Sequence, residues 1–378
     1  MSKFLQATSI FVCILILVLT FVFGGKVAAP PAQAPAEPQA PVLDLNDNGG
    51  TEGLEYEMLE NGTFGVRAGE AIDLYLIEIP PTHHGLAVTE ILDGGFADAP
   101  NLIEIKIANS VKRIGKDAFS GCKRLQAVTL STKLTRIEEN AFYACDAIEE
   151  LTLPEKLTYI GDFAFYNCRA LTEIVIPDSV TELGDSVFYA CDDLKEITLG
   201  KNLRRIGYRA FSRTAIRRIS LPAKLEQLGE DVFSYCTSLR QVVLGSSLME
   251  IPLYTFEGCK SLRVITFGER VTAIRDYAFY GSGVDMLVIP EGVISIGERV
   301  FMDAENLTAL ILPRSLERIG AGIHYGDIYY CGTEEEWREV NAEIGYSKLY
   351  FYSETEPENT AYFWHYVNGD PVLWSDSE

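Results

Sequence analysis

The chain has 378 residues, 47 % of them hydrophobic, which is enough apolar side chain to bury a long core. Its formal charge, 32 basic against 54 acidic residues, is −22. That balance argues against nucleic acid as a partner, because phosphate binding needs clustered Lys and Arg.

Residues 1–25 read as a signal peptide or signal-anchor helix. Lys3 precedes an apolar run from Ile10 to Phe23 that only Thr20 interrupts. Counted back to Phe4, the run has about the length of a membrane-spanning helix. Gly24 with Val22 two residues earlier suits cleavage, and the uninterrupted length suits an uncleaved anchor. Under both readings the rest of the chain is exported, and the membrane is a partner only through an uncleaved helix. Residues 26–52 form a Pro/Ala-rich linker and an acidic junction. The run Ala29-Pro30-Pro31 to Pro38 favours extended backbone and makes a semi-rigid spacer. Asp44, Asn46, Asn48 and Gly49, with Glu55 at the twelfth place, match a calcium-loop pattern. A Pro-rich stretch precedes them instead of a helix, and Thr51 stands where the loop needs an apolar anchor. The segment therefore reads as an acidic junction, and neither metal nor cofactor is expected.

Residues 53–95 are the entry to a repeat array, and residues 96–323 are the array itself. Its template runs A-F-x-x-C-x-x-L-x-x-I-x-L-P-x-x-L-x-x-I-G. Phe96, Phe119, Phe142, Phe165, Phe188, Phe211, Phe233, Phe256, Phe279 and Phe301 hold the aromatic slot. The step between them is 23 residues seven times and 22 twice. Both short steps begin where the template Cys is missing, after Phe211 and after Phe279. A period in the low twenties, dense in Leu and Ile, marks a leucine-rich-repeat solenoid. In one unit, Leu151 and Leu153 alternate with Glu150 and Thr152, so a short strand turns its apolar pair inward. Pro154 then closes it, having no N–H to donate. No unit can bury its Phe, Leu and Ile alone, so stability comes from stacking. The expected fold is a repeat solenoid with little helix. Its short parallel β-strands form one sheet along the concave side, and the I-G segments form a second, weaker one.

The pattern resembles the BspA-like bacterial leucine-rich-repeat family, in the unit length and in the A-F-x-x-C and I-G punctuation. The flanks resemble it too: Leu54-Glu55-Tyr56 and Asn61-Gly62-Thr63-Phe64 at the entry, Tyr329-Tyr330-Cys331-Gly332-Thr333 with Trp337 at the exit. The resemblance implies a cell-surface protein that works by adhesion or binding, with no shared catalytic residues.

Six cysteines, Cys122, Cys145, Cys168, Cys191, Cys236 and Cys259, occupy one slot and so form a ladder of buried thiols, not disulfide pairs. Catalysis has no support. The four histidines (His83, His84, His324 and His365) show no ligand or triad spacing, and there is no G-x-S-x-G elbow or phosphate-cradling loop.

The exposed strand slots change character along the chain. Early repeats set Thr beside Glu, as at Thr129, Glu150 and Thr152. Late repeats gather Val243, Val264, Met286, Val288, Ala309 and Ile311. A contiguous apolar patch on a sheet marks a partner site, so these six are the candidate residues for an extracellular protein or glycan. The competing expectation is that the C-terminal segment folds over them. Residues 324–378, with Tyr329, Tyr330, Trp337, Tyr350, Phe351, Trp364 and Trp374, read as an aromatic cap on the open end of the core. Thr333 followed by Glu336 predicts a capped short helix there.

Overall fold

Each turn of the solenoid is built around its Phe. In the computed structural model all ten Phe rings from Phe96 to Phe301 are buried. Successive rings stack with centroids 5.1–5.9 Å apart and planes within 27°. The spacing reflects the roughly 4.8 Å separation of hydrogen-bonded neighbours, and each offset-stacked pair adds about 0.5–1.5 kcal/mol beyond its burial. The structure describes residues 50–322, 326–345, 347–368 and 370–376. The segment expected to be an N-terminal signal or anchor helix, the linker, Cys13, the first part of the calcium-like motif, His324, Tyr325 and Tyr346 lie outside them. Among the described residues no helix is long and apolar enough to cross a membrane.

The three rows that join one turn to the next differ from the expectation of one strand sheet with a weaker I-G partner. The strand row is broken into parallel ladders of three, two, three and six strands, the last ending in an antiparallel pair. Two breaks fall between Glu196–Thr198 and Arg218–Ser220 and between Val264–Thr266 and Met286–Val288. These are the two places where the chain is one residue shorter between Phe and strand, so the next strand arrives out of register. The third break falls at 150–152, where a single bridge, Glu150 to Glu173, replaces the ladder. The I-G row has only two residues per turn but runs further. A ten-stranded sheet extends from the entry to Gln227–Leu228, and a five-stranded one starts at Glu250–Ile251. Gly229 donates to Ile206 O at 2.8 Å, and Gly207 donates to Leu183 O at 3.0 Å. Pro252 stands at the next place in this series and has no N–H to give, which accounts for the interruption. Glycine suits the slot because backbone passes close by. A Cβ on Gly161 would come within 2.6 Å of Glu139 N.

The third row lies where the sequence indicated only turns. The residues two before and two after every Phe, in all ten turns, have φ between 52° and 74°. Only four of these twenty positions are Gly. Left-handed backbone costs a non-Gly residue roughly 1–2 kcal/mol. The return is a hydrogen-bonded rung, because the N–H groups at these two positions and at the Phe all point to the next turn. Asn140, Phe142 and Ala144 donate to Asp162 O, Ala164 O and Tyr166 O at 3.0, 2.8 and 2.8 Å. The same three bonds recur at all nine junctions, including those across the short steps. The Phe carbonyl is used as well. Each of the six template thiols is free and buried and donates its S–H to the Phe O one turn back, at 3.0–3.1 Å. Burial pushes the Cys168 thiol up to about 12, so it stays protonated as this bond requires.

The C-terminal region continues the strand row. Asp327–Tyr330, Leu349–Tyr352 and Phe363–Val367 add in parallel beyond Ala309–Leu312, and Asp370–Leu373 closes antiparallel. The expected helix forms at Glu334–Trp337 with a reciprocal cap: Glu336 N donates to Thr333 Oγ1 and Thr333 N to Glu336 Oε2.

Candidate functional site

The six candidate residues do not form one open patch. Val264, Met286 and Val288 project from the strand face with 49 %, 43 % and 51 % of their surface exposed. Met286 and Val288 share one strand, paired to Ala309 and Ile311, and Val264 lies one turn earlier, on the far side of the break in the ladder. Val243 and Ala309 are half-buried. Ile311 is fully buried, a correction to its expected exposure. Register supplies the reason: Ile311 pairs with Tyr329, Tyr329 with Tyr350, and Tyr352 with Trp364. Their outward side chains meet over Ile311 as a small second core with Tyr350 and Trp364 at its centre. Trp364 is itself fully buried, its indole N–H donating to Tyr330 O at 3.1 Å. The cap therefore covers the last rung of the strand face and leaves the two before it open.

Chemistry-bearing side chains do not converge among the described residues. His83 stacks on Tyr56 at 3.8 Å in the entry segment, and its pKa is lowered by burial and by His84 beside it. His365 stacks on Trp374 at 3.7 Å in the cap. No group of three His, Cys, Asp or Glu among these residues has the geometry to hold a metal ion.

A recess that the strand columns do not reveal lies on the turn side, between residues 189 and 257, with a volume of about 550 Å³. The residues after three successive Phe form a stacked column leading into it: Tyr143, Tyr166 and Tyr189 have centroids 5.0 and 4.8 Å apart. The next two places in the column are Ser212 and Ser234, both buried. Where two Tyr would continue the stack, the surface drops into a trough floored by the two serines. Reading the residue after Phe as its own column would have found this step.

A family model described as "BspA type Leucine rich repeat region" matches six copies over residues 89–215, 158–285 and 204–329, together more than half the chain. Among solved structures, a leucine rich cell surface protein from Faecalibacterium prausnitzii is 22 % identical and covers 78 % of this chain and 97 % of its own, at TM-score 0.48. A leucine-rich repeat protein from Bacteroides ovatus is 23 % identical over 79 % and 98 %, at TM-score 0.36. The pneumococcal vaccine antigen PcpA is 18 % identical over 83 % and 94 %, at TM-score 0.43. No curated protein matches. With ten stacked Phe turns and a family model spanning them, the chain belongs to the BspA-type leucine-rich-repeat family.

Proposed function

We propose that the protein is exported, held at or released from the cell surface, and works by binding an extracellular protein on its strand face, without catalysis. The N-terminal apolar segment and the Pro/Ala spacer are the sequence grounds for export and for display away from the envelope. The observation that carries the binding reading is the exposure of three large apolar side chains, Val264, Met286 and Val288, on two successive turns of the strand face. Large apolar side chains that cluster on an ordered surface favour association, because covering them contributes about 25 cal/mol per Å² removed from contact with water. Their setting between the half-buried Val243 and the capped Ile311 gives the patch a defined edge. The test is a binding screen of the full chain against extracellular-matrix proteins, beside a variant carrying Val264→Lys, Met286→Lys and Val288→Lys. A partner held by the first and lost by the second, with equal circular dichroism, supports the reading. Binding indifferent to the three changes removes the strand face from consideration. The chain would then be better read as an envelope spacer.

A further inference from the structure

We propose that the trough on the turn side is a second binding site, one for a neutral oligosaccharide. The proposal does not depend on the strand-face reading. Ser212 and Ser234 make the floor and use their hydroxyls on each other, Ser234 Oγ donating to Ser212 Oγ at 2.8 Å and Ser212 Oγ to Ser234 O at 3.0 Å. The walls are tyrosines that stand half-exposed at the rim, with Tyr208 38 % and Tyr235 46 % exposed. Between two of them lies a guanidinium: Arg213 Cζ is 6.0 Å from the Tyr189 ring and 5.8 Å from that of Tyr235. Arg209 Cζ likewise lies 4.8 Å from the Tyr208 ring centroid, so each rim tyrosine carries a guanidinium over one face. With the buried serine hydroxyls spent on each other, the hydrogen bonds that a sugar's hydroxyls seek come from these guanidinium and carboxylate groups, while its C–H faces stack on the exposed remainder of the rings.

The polar groups narrow the ligand further. The Asp231 carboxylate is only 9 % exposed and stands 3.6 Å from Arg209, its ion-pair partner. Burial raises its pKa from the ordinary Asp value, against the opposing pull of Arg209 and of the Ser234 hydroxyl. Arg209 and Arg213 supply fixed planar donors, and Glu257 accepts from the Tyr235 hydroxyl at 2.7 Å. Positive and negative groups thus alternate with no excess of cations, which disfavours sulfated or sialylated chains. The backbone rules out a peptide added as a strand. The N–H groups of Arg209, Arg213, Asp231 and Tyr235 are already committed to Glu230 O, Ser234 O, Leu253 O and Glu257 O. The volume falls within the roughly 300–1,000 Å³ of small-ligand sites.

The test is calorimetric titration of the full chain with neutral trisaccharides built from glucose, mannose or N-acetylglucosamine, with a sulfated trisaccharide as the charged control. At least one neutral trisaccharide should bind. Tyr208→Ala with Tyr235→Ala should weaken it at least tenfold, and Asp231→Asn should weaken it more modestly. The Val264, Met286 and Val288 lysine variant should bind as the parent does. All three trough substitutions leave buried apolar side chains untouched, and circular dichroism with a thermal melt checks folding. Failure of every neutral sugar to bind, preference for the sulfated control, or binding unchanged by the two Tyr substitutions would overturn the proposal. Loss in the strand-face variant alone would overturn it too, while leaving the strand face as the binding site.

Discussion

Along the strand row the hydrogen-bonded ladder stops after Thr198 and again after Thr266, whereas the three-bond rung around each Phe crosses the same two junctions without a gap. Both rows belong to the same turns and see the same missing residue. They differ in where slack is available. Between Phe and strand the chain crosses a surface segment that can shorten, with Thr214 and Ser282 taking the Cys place. Around the Phe, every second N–H is committed to the next turn and every Phe ring is locked in its stack. Continuity in this solenoid therefore rests on the arc of left-handed residues, and the strand row tolerates interruption.

The largest test of that contrast compares two deletions in one turn. Removing Arg169 imitates the natural short turns and should leave a folded chain with a modestly lower melting temperature. Removing Tyr166 takes out a residue of the arc, misaligns its rung and displaces the buried Cys168. At about 1 kcal/mol net for each inter-turn hydrogen bond, added to lost core packing, this should cost far more. Equal melting temperatures for the two deletions would erase the distinction. Next in size, Phe188→Ala should cost about 3–5 kcal/mol in a denaturant titration. Val175→Ala, on the strand face where Val175 is 60 % exposed, should stay within about 0.5 kcal/mol. Because each turn contacts only its neighbours, the Phe188 variant should also broaden the transition as the halves on either side uncouple. A sharp, merely shifted transition would show that coupling does not run through the ring stack.

The period, the core and the thiol ladder were legible from columns of identical residues, because Phe, Cys, Leu and Ile recur at fixed slots. The arc was not legible, because its positions hold Asp, Asn, Ala, Phe, Ser, Arg, Tyr and Gly in turn. Gly, Asn and Asp, which tolerate the left-handed conformation, hold only half of these twenty positions, too diluted to announce it; at the others stacking and the shared hydrogen bonds impose it. Ile311 was misplaced for a related reason, since its cover comes from Tyr350 and Trp364, which reach it only through a register set by three later strands. The arc offers a third test. Ala144 has φ 54°, and Ala144→Gly removes the Cβ that makes this conformation costly. After the entropy glycine loses on folding, the variant should gain about 0.5 kcal/mol. A loss instead would mean that the Cβ packs usefully and that the arc is less strained than its dihedral angles suggest.

The smallest effect tests the I-G row, which stands between the two extremes in continuity. Glu138 occupies its glycine slot, with a side chain only 12 % exposed. It accepts from Arg136 Nε at 2.8 Å and from Arg113 Nε at 3.1 Å. Burial by itself would raise the Glu138 pKa, but the hydrogen bonds and charges of Arg136 and Arg113 outweigh it and hold it below the ordinary value of 4.5. A carboxyl group whose pKa is depressed by folding stabilises the native state above its unfolded pKa, and that contribution disappears as pH falls through the folded value. Glu138→Gln should therefore cost up to about 1 kcal/mol near neutral pH. The gap between parent and variant melts should close once acid has protonated Glu138 in the parent. Arg113 also holds Glu90 and Asp93, at 3.2 and 2.8 Å, which caps the size of the loss. A gap that persists unchanged into acid would mean that Glu138 contributes by filling space in the slot, and that this row, like the arc, is held by backbone and packing with little help from charge.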